Sequence, residues 1–154
     1  GCKREMENKG FDAFNSLRLF DLFYKRGLVN KLKKKFRSLI HRPHILKYKT
    51  VMKHLVSEED MEDDVFPTIV PNWDHTPRSK SAGNLLKDAT PELFGKHLEN
   101  VFSVLKRKNG QRVCFIKSWN EWGEGNYMEP DSKFGRRYLE VFKEVKERYN
   151  CRQQ

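Results

Sequence analysis

The sequence predicts an α/β fold, a parallel sheet covered by helices, on three observations. Phe66-Pro67-Thr68-Ile69-Val70-Pro71 is an apolar run bounded by prolines and reads as a strand. Val113-Cys114-Phe115-Ile116 reads as a second, buried strand. Each empties into a loop rich in aromatic and charged groups, and each loop is followed by an amphipathic helical pattern. Strand, loop and helix repeated in that order imply parallel strands faced by helices. A closed eight-stranded barrel needs roughly 250 residues. A chain of 154 residues supplies only the final part of one.

Taken in order, the chain opens on Gly1-Cys2-Lys3-Arg4 without Met and is read as cut from something longer. Gly10-Phe11-Asp12-Ala13-Phe14 looks like the end of a strand entering a loop. Leu17 to Tyr24 is apolar and aromatic. Lys25 to Lys49 holds ten Lys and Arg, with Leu28, Val29, Leu32, Phe36, Leu39 and Ile40 at helical spacing. Arg42-Pro43 breaks that helix. A second short helix is expected from about Ile45, with Tyr48, Met52 and Leu55 on one face. It stops near Ser57, where the acidic run Glu58 to Asp64 reads as a solvated loop that offsets the basic helix.

The stretch Ser79 to Asp88 reads as a polar connection. Thr90 then suits an N-cap, Pro91 the first helical position, and Glu92 the helix dipole. Phe94, Leu98, Val101 and Leu105 form the buried stripe of that helix, and Asn109-Gly110 closes it. A last helix begins near Phe134 and is lined by Tyr138, Phe142, Val145 and Tyr149. The organisation is therefore one partial barrel domain over 1–154, with a charged helical insertion at 25–64.

Composition sets outer bounds. Hydrophobic residues make up 37% and charged residues 34%, which gives much solvated surface or a domain lacking its neighbours. The formal charge of +10 comes mainly from the basic stretch. No apolar run reaches the length of a transmembrane helix. Cys2, Cys114 and Cys151 have no ligand spacing and no even-numbered framework, so a reducing compartment is expected and Cys114 is read as a small buried apolar residue.

The chemistry concentrates in Trp119-Asn120-Glu121-Trp122-Gly123-Glu124-Gly125-Asn126-Tyr127-Met128-Glu129-Pro130-Asp131, four carboxylates, two tryptophans, a tyrosine and two glycines in thirteen residues. Side chains at the carboxyl end of a parallel strand face the crevice where ligands sit. Paired carboxylates suit glycosidic chemistry, in which one group holds a proton while the other stays ionised. By spacing alone Glu121 and Glu124 are equally well read as solvated loop carboxylates. Gly123 and Gly125 let the backbone turn sharply around Glu124.

Trp73-Asp74-His75-Thr76-Pro77-Arg78, Thr90-Pro91-Glu92, Trp119 to Gly125, Met128-Glu129-Pro130-Asp131 and Gly135 together resemble the C-terminal part of the WbsX family, over a core at 66–149. That family comprises glycosyltransferases of surface-polysaccharide and O-antigen synthesis and is similar to glycoside hydrolase family 99, the endo-mannosidases. The resemblance implies a (β/α)8 TIM-type barrel, with these loops after its last two strands and the remaining strands N-terminal to Gly1. It implies Glu121 as base on the sugar 2-hydroxyl and Glu124 as acid and then base at the glycosidic oxygen. Gly123 stands where Ala or a bulkier residue is usual, Met128 where Leu or Ile is, and His75 where Asn is common. Gly123 is expected to loosen the loop.

Around that pair, Trp73, Asp74, Arg78, Asn120, Trp122, Tyr127 and Glu129 are the candidate substrate-binding residues. Trp73 and Trp122 suit stacking on sugar rings, against core packing as the alternative, which is favoured for Trp119. Asp74 and Arg78 either bind sugar hydroxyls or a phosphate, or pair with each other. Glu129 is expected to orient the loop through backbone amides. His75, His41 and His44 lack a third ligand, so no metal and no cofactor is expected. The expected partner is a glycan or sugar donor, and nothing resembles a nucleic-acid recognition fold. The basic helix is either a charged outer face or a peripheral contact with an anionic membrane. The expected location is cytoplasmic, at the inner membrane surface. A glycan-binding module that keeps the cleft without turnover, and an interaction domain built on the basic helix, are the alternatives to an enzyme.

Overall fold

The computed structural model describes residues 9–24, 32, 35–37 and 39–151. It is a mixed α/β fold with parallel sheets. The first sheet has three parallel strands, β1 (Phe14–Ser16), β3 (Val65–Ile69) and β5 (Phe115–Ile116), in the order β1-β3-β5. The second pairs β2 (His44–Lys47) with β4 (Asn84–Lys87), also in parallel.

Strand β3 is the centre of the first sheet. Its lower half pairs with β1, from Phe14 opposite Val65 to Ser16 opposite Pro67. Its upper half pairs with β5 through Thr68 and Ile69. Pro67, which has no N–H to give, lies where the pairing passes from one neighbour to the other. Helix α4 (Pro91–Arg107) covers this sheet. It begins as its residues predict: the Thr90 hydroxyl accepts from Leu93 N, and Pro91 opens the first turn. Phe94, Leu98, Val101 and Leu105 are buried with Ile69 and Met128, and against Tyr138, Val141 and Val145 of α5 (Arg137–Cys151). The imidazole of His97 on α4 is fully buried and accepts from Val70 N at 3.2 Å, which ties the helix to the end of β3. Burial lowers its pKa to about 4.

A second core gathers Leu19 and Phe23 of α1 (Leu19–Phe23), Tyr48 and Val51 of α2 (Tyr48–Val51), and Met52, Leu55, Val70, Trp73 and Leu86. Tyr48 donates its hydroxyl to the Val70 carbonyl at 2.6 Å, and burial raises the pKa of that phenol. Tyr48, Met52 and Leu55 thus share a buried face, as their spacing predicts.

Several local expectations change. The segment from Ile45 enters as strand β2 before it turns helical, because β4 lies alongside it in register. The stretch read as a polar connection, Ser79 to Asp88, is where β4 lies. The acidic run is not wholly solvated. Asp60 is fully buried, accepting from Ser57 N at 2.7 Å and from the Ser16 hydroxyl, with Arg18 at 3.5 Å. It fastens the run to the end of β1. Of Val113 to Ile116 only Phe115 and Ile116 form strand, and both are exposed. Cys114 is partly buried, which pushes its thiol up to about 11. The last helix starts at Arg137, just after the expected Phe134. Residues 25–31, 33, 34 and 38 of the basic stretch, with Cys2, lie outside the described residues.

Candidate active site

Two loops meet above the carboxyl ends of β3 and β5. The first, 70–78, is stitched to β4, since Leu86 N donates to the Trp73 carbonyl and His75 N to the Asn84 carbonyl. Asp74 Oδ1 then accepts from Thr76 N at 2.9 Å and the Thr76 hydroxyl at 2.5 Å. That contact starts the single turn α3 (Thr76–Ser79), which carries Arg78.

The second loop is a short hairpin. Strands β6 (Asn120–Glu121) and β7 (Asn126–Tyr127) pair antiparallel, and Trp122 to Glu124 form a tight helical turn between them. Gly125 closes the turn at φ +50°, a conformation that favours glycine. A Cβ there would stand 2.7 Å from Asp74 Cβ, so the hairpin touches the first loop at this residue.

Asn126 and Asn72 lock the loops together. The fully buried Asn126 donates through Nδ2 to the carbonyls of Asn72 at 2.6 Å and Lys117 at 2.8 Å. Asn72 Oδ1 accepts from Tyr127 N at 2.9 Å, and Asp74 N donates to the Glu124 carbonyl at 2.8 Å. The hairpin is therefore held by backbone and amide contacts rather than by an apolar core.

This scaffold brings Glu121, Glu124 and Arg78 together. One guanidinium faces both carboxylates: Arg78 Nη2 is 3.1 Å from Glu121 Oε1, and Nη1 is 3.1 Å from Glu124 Oε1. Glu124 has two further cationic neighbours, Lys117 Nζ at 3.8 Å and His75 Nε2 at 3.7 Å, the latter charged only when protonated. The carboxylates differ in setting, with side-chain exposure of 18% for Glu124 and 41% for Glu121. Arg78 thus contacts the two glutamates rather than Asp74, which is turned to Thr76.

The aromatic residues divide. Trp122 stacks on Tyr127, ring centroids 3.8 Å apart and planes 15° from parallel, while it stays half exposed. Its Nε1 donates to Glu129 Oε2 at 2.6 Å, so Glu129 fixes the loop through an indole rather than through backbone amides. The Tyr127 hydroxyl donates to Asp131 at 3.1 Å; burial first, and then this bond, raises its pKa. Trp119 is 53% exposed instead of packed in the core. Trp73 is buried, with Phe20 edge-on, His75 stacked and Lys117 over its ring. Asn120 lies on β6 and is exposed.

Trp73, Asp74 and Tyr127 line a cavity of about 430 Å³ together with Asn72, Asp131 and Lys133. Glu121, Glu124, Arg78, Asn120, Trp122 and Glu129 lie outside it. The candidate residues therefore form two neighbouring groups that share the loops, a charged hairpin tip and a hollow beside it. Asn72, Lys117 and Asn126 belong to the site without having been singled out in the sequence. Asn126 follows Gly125, and that Gly-Asn turn signal was the available hint. Among the described residues no group of three or more His, Cys, Asp or Glu is arranged to hold a metal ion. None of their helices is long and apolar enough to cross a membrane.

The family model described as Glycosyltransferase WbsX matches residues 3–142. Two curated relatives, each named "Uncharacterized protein WxcX", come from Xanthomonas campestris pv. campestris strains B100 and ATCC 33913. Each is 29% identical over 83 residues, covering 53% of this chain and 12% of the relative. The chain thus matches only a small part of their length. No solved structure matches.

Proposed function

Because the chain belongs to the WbsX glycosyltransferase family, we propose that it carries the catalytic end of a carbohydrate-active enzyme. The enzyme makes or cleaves glycosidic bonds in a bacterial surface polysaccharide such as O-antigen, on the cytoplasmic side of the inner membrane. Glu121 and Glu124 are the working pair. The observation that carries this reading is their meeting on one guanidinium at the tip of a hairpin above two parallel strand ends.

The chemistry follows from the placement. Glycoside hydrolysis most often uses two carboxyl groups beside one bond, one to move a proton at the glycosidic oxygen and one to act on the sugar or on water, and the same pair can serve transfer between sugars. Glu124 is the more enclosed, at the base of the turn, and takes the proton-transfer role. Glu121, more open, acts on the 2-hydroxyl in the manner of family 99 hydrolases. The face of Trp122 not covered by Tyr127 suits a sugar ring, Asn120 supplies donors to hydroxyls, and Arg78 is engaged by the two glutamates. Strands β1, β3 and β5 are consecutive members of a (β/α)8 barrel completed by chain N-terminal to Gly1. The basic stretch 25–49 offers a contact for anionic lipid.

A glycan-binding module without turnover is the second reading, favoured by the exposed Trp119 beside the stacked Trp122–Tyr127 pair. Two substitutions in the complete protein separate the readings. Glu121→Gln and Glu124→Gln should each lower turnover by at least about a hundredfold and leave glycan binding largely intact. Near-normal turnover by both, with binding retained, would establish the binding module instead.

A further inference from the structure

Two glycines flank Glu124, and they are glycines for different reasons. Gly125 has a positive φ, so its backbone asks for glycine. The backbone of Gly123 is not in the left-handed region, so nothing in its own conformation excludes a side chain. In this chain the constraint at Gly123, where the family usually carries Ala or a bulkier residue, comes from across the site. A Cβ there would lie 2.8 Å from Arg78 Nη2 and 3.4 Å from Glu121 Oε1. The space that a methyl group would fill is occupied by the guanidinium.

That guanidinium spans the pair. Its two terminal nitrogens each take one carboxylate oxygen at 3.1 Å, from residues 43 and 46 positions away in the chain. Two carboxylates on one small turn repel each other, and a rigid planar fork fixes their spacing as a flexible ammonium cannot. Lys117 and His75 approach only Glu124, at 3.8 and 3.7 Å. Among the described residues Arg78 is the cation that reaches both.

We infer that Arg78 is the positioning residue of the carboxylate pair and that Gly123 is its seat. Resting on the proposed role of Glu121 and Glu124, this assigns Arg78 to holding the two carboxyls in register and Gly123 to leaving room for the fork. The glycine expected to loosen the loop instead admits the group that orders it. A side chain at 123 meets the far end of a flexible residue, so the guanidinium must shift off its place between the carboxylates while the fold is kept.

The test is a double-mutant cycle in the complete protein, followed by turnover across a panel of aryl glycosides and by ¹⁵N NMR of the arginine side chains. Gly123→Ala should keep the thermal transition of the parent. It should release the slowed Arg78 guanidinium signals and lower kcat on the order of tenfold to a hundredfold with KM little changed. Arg78→Lys should show the same loss despite its retained charge. Arg78→Ala should be partly rescued by millimolar guanidinium ion, and adding Gly123→Ala to it should cost nothing more. Multiplying losses in the double variant, full turnover by Arg78→Lys, or unchanged Arg78 signals in Gly123→Ala would each overturn the assignment. Should Glu121→Gln and Glu124→Gln leave turnover intact, the proposed function falls. The seat is then judged by the arginine signals alone, which report the contact whatever the chemistry.

Discussion

Two strand–loop–helix units follow one another here, and they have come out differently. The first runs β3, loop 70–78 and, after β4, helix α4; its strand is five residues long and largely buried. The second runs β5, hairpin 117–131 and helix α5; its strand is two residues long and exposed on both. Composition does not separate them, since Val113-Cys114-Phe115-Ile116 is at least as apolar as Val65 to Ile69. Neighbours do. Strand β3 has a parallel partner on each side, whereas β5 has β3 alone among the described residues. A parallel strand is buried by what lies beside and above it, not by its own side chains. The hairpin after β5 is ordered all the same, because Asn72 and Asn126 hold it to the better-built unit.

The widest difference should appear in core truncations. Phe94→Ala removes a fully buried ring that packs on Tyr138 at 5.3 Å, and it should cost about 3–5 kcal/mol in urea unfolding. Phe115→Ala, at 48% exposure, should stay within about 1 kcal/mol. Equal losses would mean that β5 is covered as β3 is.

Acid should weaken the first unit next. His97 is held neutral, its pKa lowered from 6.5 to about 4 by burial. Between those values the unfolded chain binds the proton and the folded chain does not. Stability is therefore complete above pH 6.5 and falls as the pH drops toward 4, by on the order of 3 kcal/mol in all. Urea midpoints measured across that range should decline, and His97→Gln should flatten the decline over the same interval. A slope unchanged in the variant would assign the effect to other groups.

A smaller change should follow at the joint between the units. Gly125→Ala forces a Cβ onto Asp74 at positive φ, and it should cost about 1–3 kcal/mol. The same substitution should part the Asp74 N–Glu124 carbonyl contact, seen as faster amide exchange at Asp74. Smallest of all, Thr90→Ala should cost about 1 kcal/mol through the lost cap of α4, leaving the hairpin untouched.

What could be read in advance was local. Thr90-Pro91-Glu92 and the stripe from Phe94 to Leu105 declare their helix because cap, first turn and periodicity lie within one segment. Glu121 and Glu124 stood out because carboxylates, tryptophans and glycines crowd one loop. The segments that resisted take their state from distant partners. Asn84-Leu85-Leu86-Lys87 is a strand because His44 to Lys47 lies beside it, and neither piece alternates strongly enough to say so. Asp60 looked like one more solvated acid, and its burial depends on Ser16 and Arg18 far upstream. Arg78 neighboured Asp74 in sequence and went to glutamates more than forty residues on. Trp119 was expected inside, yet it lies past the end of β5, in the loop before β6, and is exposed.

The central claim is that Glu124 moves the proton at the glycosidic oxygen, and leaving-group dependence tests it most directly. In the complete protein, Glu124→Gln should lose at least about a hundredfold in turnover on a substrate with a poor leaving group. That loss should shrink on an activated aryl glycoside, which departs without protonation. The Glu121→Gln loss should be the same on both. A Glu124→Gln loss of equal size on both substrates, or none on either while glycan still binds, would contradict the assignment.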